Sequence, residues 1–224
     1  MWQSLINWWT PSLALPEKFR TQPWGQIPFL AVDLELTSLD AEQSNILSIG
    51  WVQGKASLIP LETCYYKVIT TTASLHQSPI IHGLVGQDIE DGEPVRVALE
   101  HLLDYAQSHV WVFHCTNLDM SVLTKVYHKL GISLPQLVTV DTLRLALYQL
   151  NKAHQIPAPN AATLTSCRQR HNLPLAPAHN ALDDALATME LLYAQLRQFD
   201  PLGRESFASL MSTGAVKVFQ HKPI

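Results

Sequence analysis

The sequence predicts a mixed α/β domain with a central sheet of about five strands. Three observations carry this. β-rich segments crowd residues 29–70 with only short links between them. Helical and strand patterns then alternate, an order that gives a mixed sheet with helices on its faces. The 224 residues are 47% hydrophobic and 15% charged, enough apolar material to bury the core of one domain with modest extensions.

Phe29–Leu36 is a strongly apolar run broken by two acids. Ile46–Gln53 and Ser57–Thr70 are rich in β-branched and aromatic residues, with Gly54-Lys55 between them as a turn, so the three segments read as a meander. A loop holding Ile80-Ile81-His82-Gly83-Leu84 comes next. Pro94 stands where a first helical turn would start, and Val95, Leu99, Leu102 and Leu103 predict a helix to about Gln107. Val110–Phe113 reads as a short buried strand and Leu118–Leu130 as a helix closed by Gly131. Leu137–Val140 is another strand, and Thr142–Leu150 another helix. Two prolines and two asparagines mark residues 151–160 as a loop. Thr163–His171 is a short helix. The last helix runs from about Ala181 to Phe199 behind the N-cap Asn180, with the stripe Leu182, Leu186, Met189, Tyr193 and Leu196.

This pattern places the domain at residues 27–198, between an N-terminal extension (1–26) and a C-terminal tail (199–224). The extension holds four of the six tryptophans, Trp2, Trp8, Trp9 and Trp24, and no charged side chain before Glu17. Trp2, Leu5, Ile6 and Trp9 recur at helical spacing, which predicts a short amphipathic helix up to Pro11. Such an arm either packs on the domain or docks a protein partner or a membrane surface. The tail has weak periodicity and reads as a short helix and a loose end. The three cysteines, Cys64, Cys115 and Cys167, form no CxxC pair, so free thiols in a reducing compartment are expected and a zinc site is not. No secretory signal is recognisable at the start, and a cytoplasmic location is the expectation. No apolar run reaches the ~18 residues of a membrane span. The net charge of −4 argues against a polybasic nucleic-acid binder.

Three blocks carry chemistry. In Val32-Asp33-Leu34-Glu35-Leu36-Thr37 the two acids share one face of a strand, with Cα atoms about 6.6 Å apart. Two carboxylates aimed at one place from an apolar strand repel and call for a cation. In Val112-Phe113-His114-Cys115-Thr116-Asn117-Leu118-Asp119 polar residues follow the C-terminal end of a buried strand, where open α/β sheets place ligands. In His179-Asn180-Ala181-Leu182-Asp183-Asp184 a histidine precedes a helix that opens with two acids. Each block alone has an ordinary structural explanation, since acids suit helix N-termini and a strand end is often solvated.

Together, in this order, the blocks resemble the DnaQ-like DEDDh 3′→5′ exonucleases, whose fold is the three-layer ribonuclease H-like one. The matching positions are Asp33 and Glu35, then His114 and Asp119, then His179, Ala181 and Asp184. Leu39–Gly50 (LDAEQSNILSIG) resembles the family's link into its second strand, and Ile81-His82-Gly83-Leu84 its substrate-side loop. The likeness covers about residues 27–198. The first block departs from the family's D-x-E-T-T-G, with Leu36 and Ser38 at the first Thr and the Gly and Thr37 keeping the second Thr. The family's H-N is His114-Cys115 here.

The resemblance implies a metal-dependent 3′→5′ exonuclease that releases nucleoside 5′-monophosphates from the 3′ ends of single-stranded nucleic acid. Asp33, Glu35, Asp119 and Asp184 would hold two divalent ions, Mg²⁺ or Mn²⁺, hard cations that prefer carboxylate oxygen. His179 would be the general base, a task suited to an imidazole. Leu36, Thr37, His82 and His114 would touch substrate. The four carboxylates match the whole formal charge of −4, so two bound ions would leave the protein neutral. DNA is favoured over RNA as substrate, although ribonuclease T and oligoribonuclease share these motifs. A non-catalytic binding or scaffold module is the reading from a different class, and it would be expected to have lost one of the five active-site residues.

Overall fold

The structure, a computed structural model, describes residues 9–11, 14–71, 91–154, 158, 160–177 and 179–221. Its centre is a mixed sheet. β2 (Phe29–Leu36), β3 (Ile46–Gly54) and β4 (Tyr65–Val68) form the antiparallel meander, and β2 also runs parallel to β5 (Val110–Phe113), which is parallel to β6 (Leu137–Asp141). The sheet has seven strands rather than about five. β7 (Val216–His221) pairs antiparallel with β6, and β1 (Trp9–Pro11) with β7, giving the order β1-β7-β6-β5-β2-β3-β4. The end of the tail is therefore a sheet strand. Val216 and Val218 bury in the core, but an alternation this short is hard to see in sequence.

Side-chain alternation sorts the strands onto two cores. Leu30, Val32 and Leu34 of β2 join Trp51, Trp111 and Phe113 beneath two helices, α2 (Val95–Leu103) and α3 (Thr116–Lys129). Phe29 and Ala31 face the other way, onto Met189, Leu192 and Leu196 of the longest helix. Three more helices complete the set: α4 (Thr142–Lys152), α5 (Leu164–Arg170) and α6 (Ala181–Phe199), the first helix, α1 (Glu17–Arg20), being a single turn. Asn180 caps α6 as expected, its Oδ1 accepting from the N–H of Leu182 at 3.0 Å and of Asp183 at 3.3 Å.

Three further expectations change. The segment Ser57–Thr70 is not one strand: the tight turn lies at Ala56 and Ser57, both at positive φ, and a 3-10 turn at Leu61–Thr63 after Pro60 delays β4 to Tyr65. α2 stops at Leu103, short of Gln107. The amphipathic helix of the N-terminal arm lies mostly outside the described residues, and its end, Trp9–Pro11, is extended in the sheet. Leu15, Phe19 and Trp24 pack into the same core as Phe29, Phe207 and Leu210. Trp24 is 4% exposed, so it is structural and offers nothing to a docking patch. No helix among the described residues is long and apolar enough to cross a membrane.

One close approach sets the site. Gly50 of β3 lies directly opposite Asp33 of β2, and the first turn of α6 rests on it. A Cβ at Gly50 would sit 2.4 Å from Ala181 C and Leu182 N, and 2.5 Å from Ala181 O. Only a residue without a side chain lets the helix come this near. Gly50→Ala is therefore expected to lower stability by about 1–3 kcal/mol, the usual cost of overpacking, seen as an earlier midpoint in urea unfolding. A variant as stable as wild type would contradict this packing.

Candidate active site

The alternation that sends Phe29 and Ala31 towards α6 also sends Asp33 and Glu35 there. Asp184, one turn into α6, meets them. Carboxylate oxygens of Asp33, Glu35 and Asp184 all lie within 4.8 Å of one another. Like charges this close in a protein interior raise each other's pKa. Burial and then the charges of Asp119, Asp184 and Glu35 hold the Asp33 carboxyl well above the usual carboxylate range. Burial and Asp184 push Glu35 up to about 7. Burial also raises Asp184, against the opposing pull of the His179 N–H.

The second block closes the site from the other side of β2. Asp119, 7% exposed in the first turn of α3, stands outside the tight triad but is felt electrostatically by Asp33. Burial and the charges of Asp141 and Glu35 raise its pKa as well. Cys115, at the N-terminus of α3, has φ +90°, a left-handed conformation that Asn tolerates better than Cys. Its N–H is held by Asp141 Oδ1 at 3.3 Å.

Asp141 is a residue that the three sequence blocks do not include. Its buried carboxylate accepts from Thr116 N at 3.0 Å, and from Leu143 N and Arg144 N at 3.0 and 3.2 Å, so one side chain caps both α3 and α4. An Asp before the helix at Thr142 signals the second cap in sequence, whereas the first depends on β5 and β6 being neighbours.

His114, expected to touch substrate, is engaged within the chain through both ring nitrogens. Its Nε2 lies 2.9 Å from Ala162 O and its Nδ1 2.8 Å from Thr142 Oγ1. A carbonyl only accepts, so Nε2 carries the proton, and burial favours the neutral ring. Both nitrogens serve to pin the loop before α5 to the start of α4.

In the third block His179 is exposed, at φ +67°, and its backbone N–H donates to Asp184 Oδ2 at 2.9 Å. Asp183 is not one of the three, and its charge reaches Asp184 as a neighbour. Thr37 closes the loop after β2, its N–H donating to Asn45 O and its Oγ1 accepting from Asn45 N, both at 3.0 Å. Leu36, past the register shift that follows Glu35, packs partly against the α2–α3 core. His82 lies outside the described residues.

The donor set of Asp33, Glu35 and Asp184 fits a hard divalent cation. All donors are carboxylate oxygens, and the mutual repulsion of their ionised forms is what a cation would relieve. A carboxyl whose pKa is raised on folding binds its proton more tightly in the native state. Its stabilising contribution is thus full below the unfolded pKa and is lost as pH rises through the folded one. For Glu35 the window runs from about 4.5 to about 7. Without divalent ions, Glu35→Gln should melt at a higher temperature than wild type at pH 8, with the gap closing by pH 5. Addition of Mn²⁺ should raise the melting temperature of wild type more than that of the variant. Equal pH profiles would show that Glu35 is not held in a repulsive cluster.

Comparison with known proteins fits this arrangement. The chain is 27% identical over 188 residues to a DNA polymerase III PolC-type of Caldanaerobacter subterraneus subsp. tengcongensis, spanning 82% of this chain and 13% of that protein. It is 23% identical over 191 residues to a 3′-5′ exonuclease DinG of Staphylococcus haemolyticus, spanning 83% of this chain and 20% of that protein. The structure of E. coli Exonuclease I in complex with a dA16 oligonucleotide superposes with a TM-score of 0.63 at 15% identity, over 84% of this chain and 43% of that one, which shows a shared fold. The exonuclease family model (RNase_T) matches residues 30–192, from the strand that carries Asp33 and Glu35 to the helix that carries Asp184, and the chain belongs to that family.

Proposed function

We propose that this protein is a metal-dependent 3′→5′ exonuclease that hydrolyses phosphodiester bonds at single-stranded 3′ ends. It would prefer DNA to RNA, release nucleoside 5′-monophosphates and work in the cytoplasm. The observation that carries the reading is the triad of Asp33, Glu35 and Asp184 gathered within 4.8 Å at the end of β2. The names of the matched polymerase and 3′-5′ exonuclease support DNA as substrate, as does the oligonucleotide in the Exonuclease I structure.

Asp33, Glu35 and Asp184, with Asp119 as the fourth ligand, would hold two divalent ions, Mg²⁺ or Mn²⁺. Bound there, such ions acidify a water and stabilise charge on the entering and leaving oxygens. His179 takes the proton of the attacking water. A bond forms between that water's oxygen and phosphorus, the bond from phosphorus to the 3′ oxygen breaks, and the terminal nucleotide leaves with its 5′ phosphate. The backbone N–H that His179 gives to Asp184 ties the base to a metal-binding carboxylate, so both keep one relative position. Leu36, Thr37, His82 and His114 contact substrate in this reading.

The test is a time course on 5′-labelled single-stranded DNA and RNA of one sequence, with Mg²⁺, Mn²⁺ or EDTA. A ladder shortening from the 3′ end is expected with either ion, faster on DNA, and nothing in EDTA. His179→Ala should lose about 10²–10⁴-fold in rate with little change in metal affinity, and Asp184→Asn should lose activity together with metal affinity. Asp183→Asn should cost little. Undiminished cleavage in chelator, or a dead Asp183→Asn beside an active Asp184→Asn, would overturn the assignment.

A further inference from the structure

Arg168 is a buried cation that the proposed chemistry does not use. It sits on α5 and is 4% exposed. A lone buried guanidinium is expensive, so its partners show what it is for. One nitrogen, Nη1, donates to Ala187 O at 2.8 Å and pairs with Glu190 Oε2 at 2.7 Å, both on α6. The other, Nη2, donates to Pro174 O at 2.9 Å. The Arg168 carbonyl accepts from Leu173 N at 3.0 Å. One residue therefore fastens the chain leaving α5, at both Leu173 and Pro174, to the flank of α6.

Beyond Pro174, residues 175–177 form a strap on the approach to His179. Its far end is fixed to the same helix by the His179 N–H on Asp184 and by the Asn180 cap. Two prolines, Pro174 and Pro177, restrict the backbone between the two anchors. Beneath the strap, Arg168 and Asp184 line one small cavity with Ala176 and Ala187. Release of the Pro174 anchor would free the near end of that strap, and His179 stands on backbone already in the left-handed region.

We infer that Arg168 is a positioning residue for His179: its guanidinium clamps the strap to α6 and so sets where the imidazole stands relative to Asp184. This role rests on the reading of His179 as the base. Lysine cannot replace the clamp, because an ammonium lacks the planar fork that serves the α6 groups and Pro174 at once.

A double-mutant cycle tests it. Arg168→Lys should lower kcat by about 10–100-fold, the scale of a misplaced catalytic group, with KM within about twofold of wild type. In the His179→Ala background the same substitution should cost almost nothing more. Amide hydrogen exchange at Leu173, Leu175, Ala176 and His179 should quicken in Arg168→Lys while β2 exchanges as in wild type. Should Arg168→Lys fail to fold, Glu190→Gln removes one partner from the clamp at a half-exposed position, and should give the same pattern at smaller amplitude. Additive losses in the cycle, or an unchanged kcat in a folded variant, would overturn the inference while leaving the exonuclease reading in place. Full activity in His179→Ala alone would instead remove the base assignment on which it rests.

Discussion

Mutual repulsion among carboxylates is the constraint on which the rest of the structure depends. Asp33, Glu35 and Asp184 are brought within 4.8 Å by elements that are themselves apolar and well packed, so the repulsion is held in place by the surrounding core. β2 is clamped between β3 and β5, and α6 is buried along most of its length. The contact that joins them is backbone on backbone, Gly50 against Ala181 and Leu182. A packed interior does not deform continuously, and so the acids cannot drift apart.

The surroundings of the triad are built to hold position more than to neutralise charge. Asp141 fixes the start of α3 and hence Asp119. His114 joins the loop at Ala162 to the start of α4 at Thr142, and Lys125 donates to the carbonyls of Ala41, Glu42 and Ser44, holding the loop that follows Thr37. Arg168 does the same for the strap before His179. In each case a polar or charged side chain is used to hold neighbouring chain in place. This explains how the loops beside the site can present groups in fixed relation.

Much of this was legible in the sequence because the relevant signals are local. The D-x-E alternation placed both acids on one face, and Asn180 followed by Ala181–Phe199 marked the last helix and its cap. The order of strands and helices indicated the sheet's mixed character. What escaped depends on chain partners far apart in sequence. β7 has too short an alternation to be read until β6 and β1 flank it. Trp24 looked like part of an unusual aromatic arm, and only the packing of Phe19, Phe29 and Phe207 around it makes it core. The close approach of α6 at Gly50 shows only in the fold, where a strand glycine meets the first turn of a helix. His114 matched a motif position, whereas its role is set by Ala162, 48 residues away.

Calorimetric titration of Mn²⁺ into the protein at neutral pH tests most directly whether the triad is a divalent-cation site, independently of any substrate. Wild type should bind Mn²⁺ with release of protons, since the raised carboxyls must ionise to become ligands. Asp33→Asn should weaken that binding by at least about tenfold, because loss even of a supporting residue commonly costs 10–100-fold. Equal Mn²⁺ affinity in wild type and Asp33→Asn, with no proton release in either, would contradict a cation site at the triad.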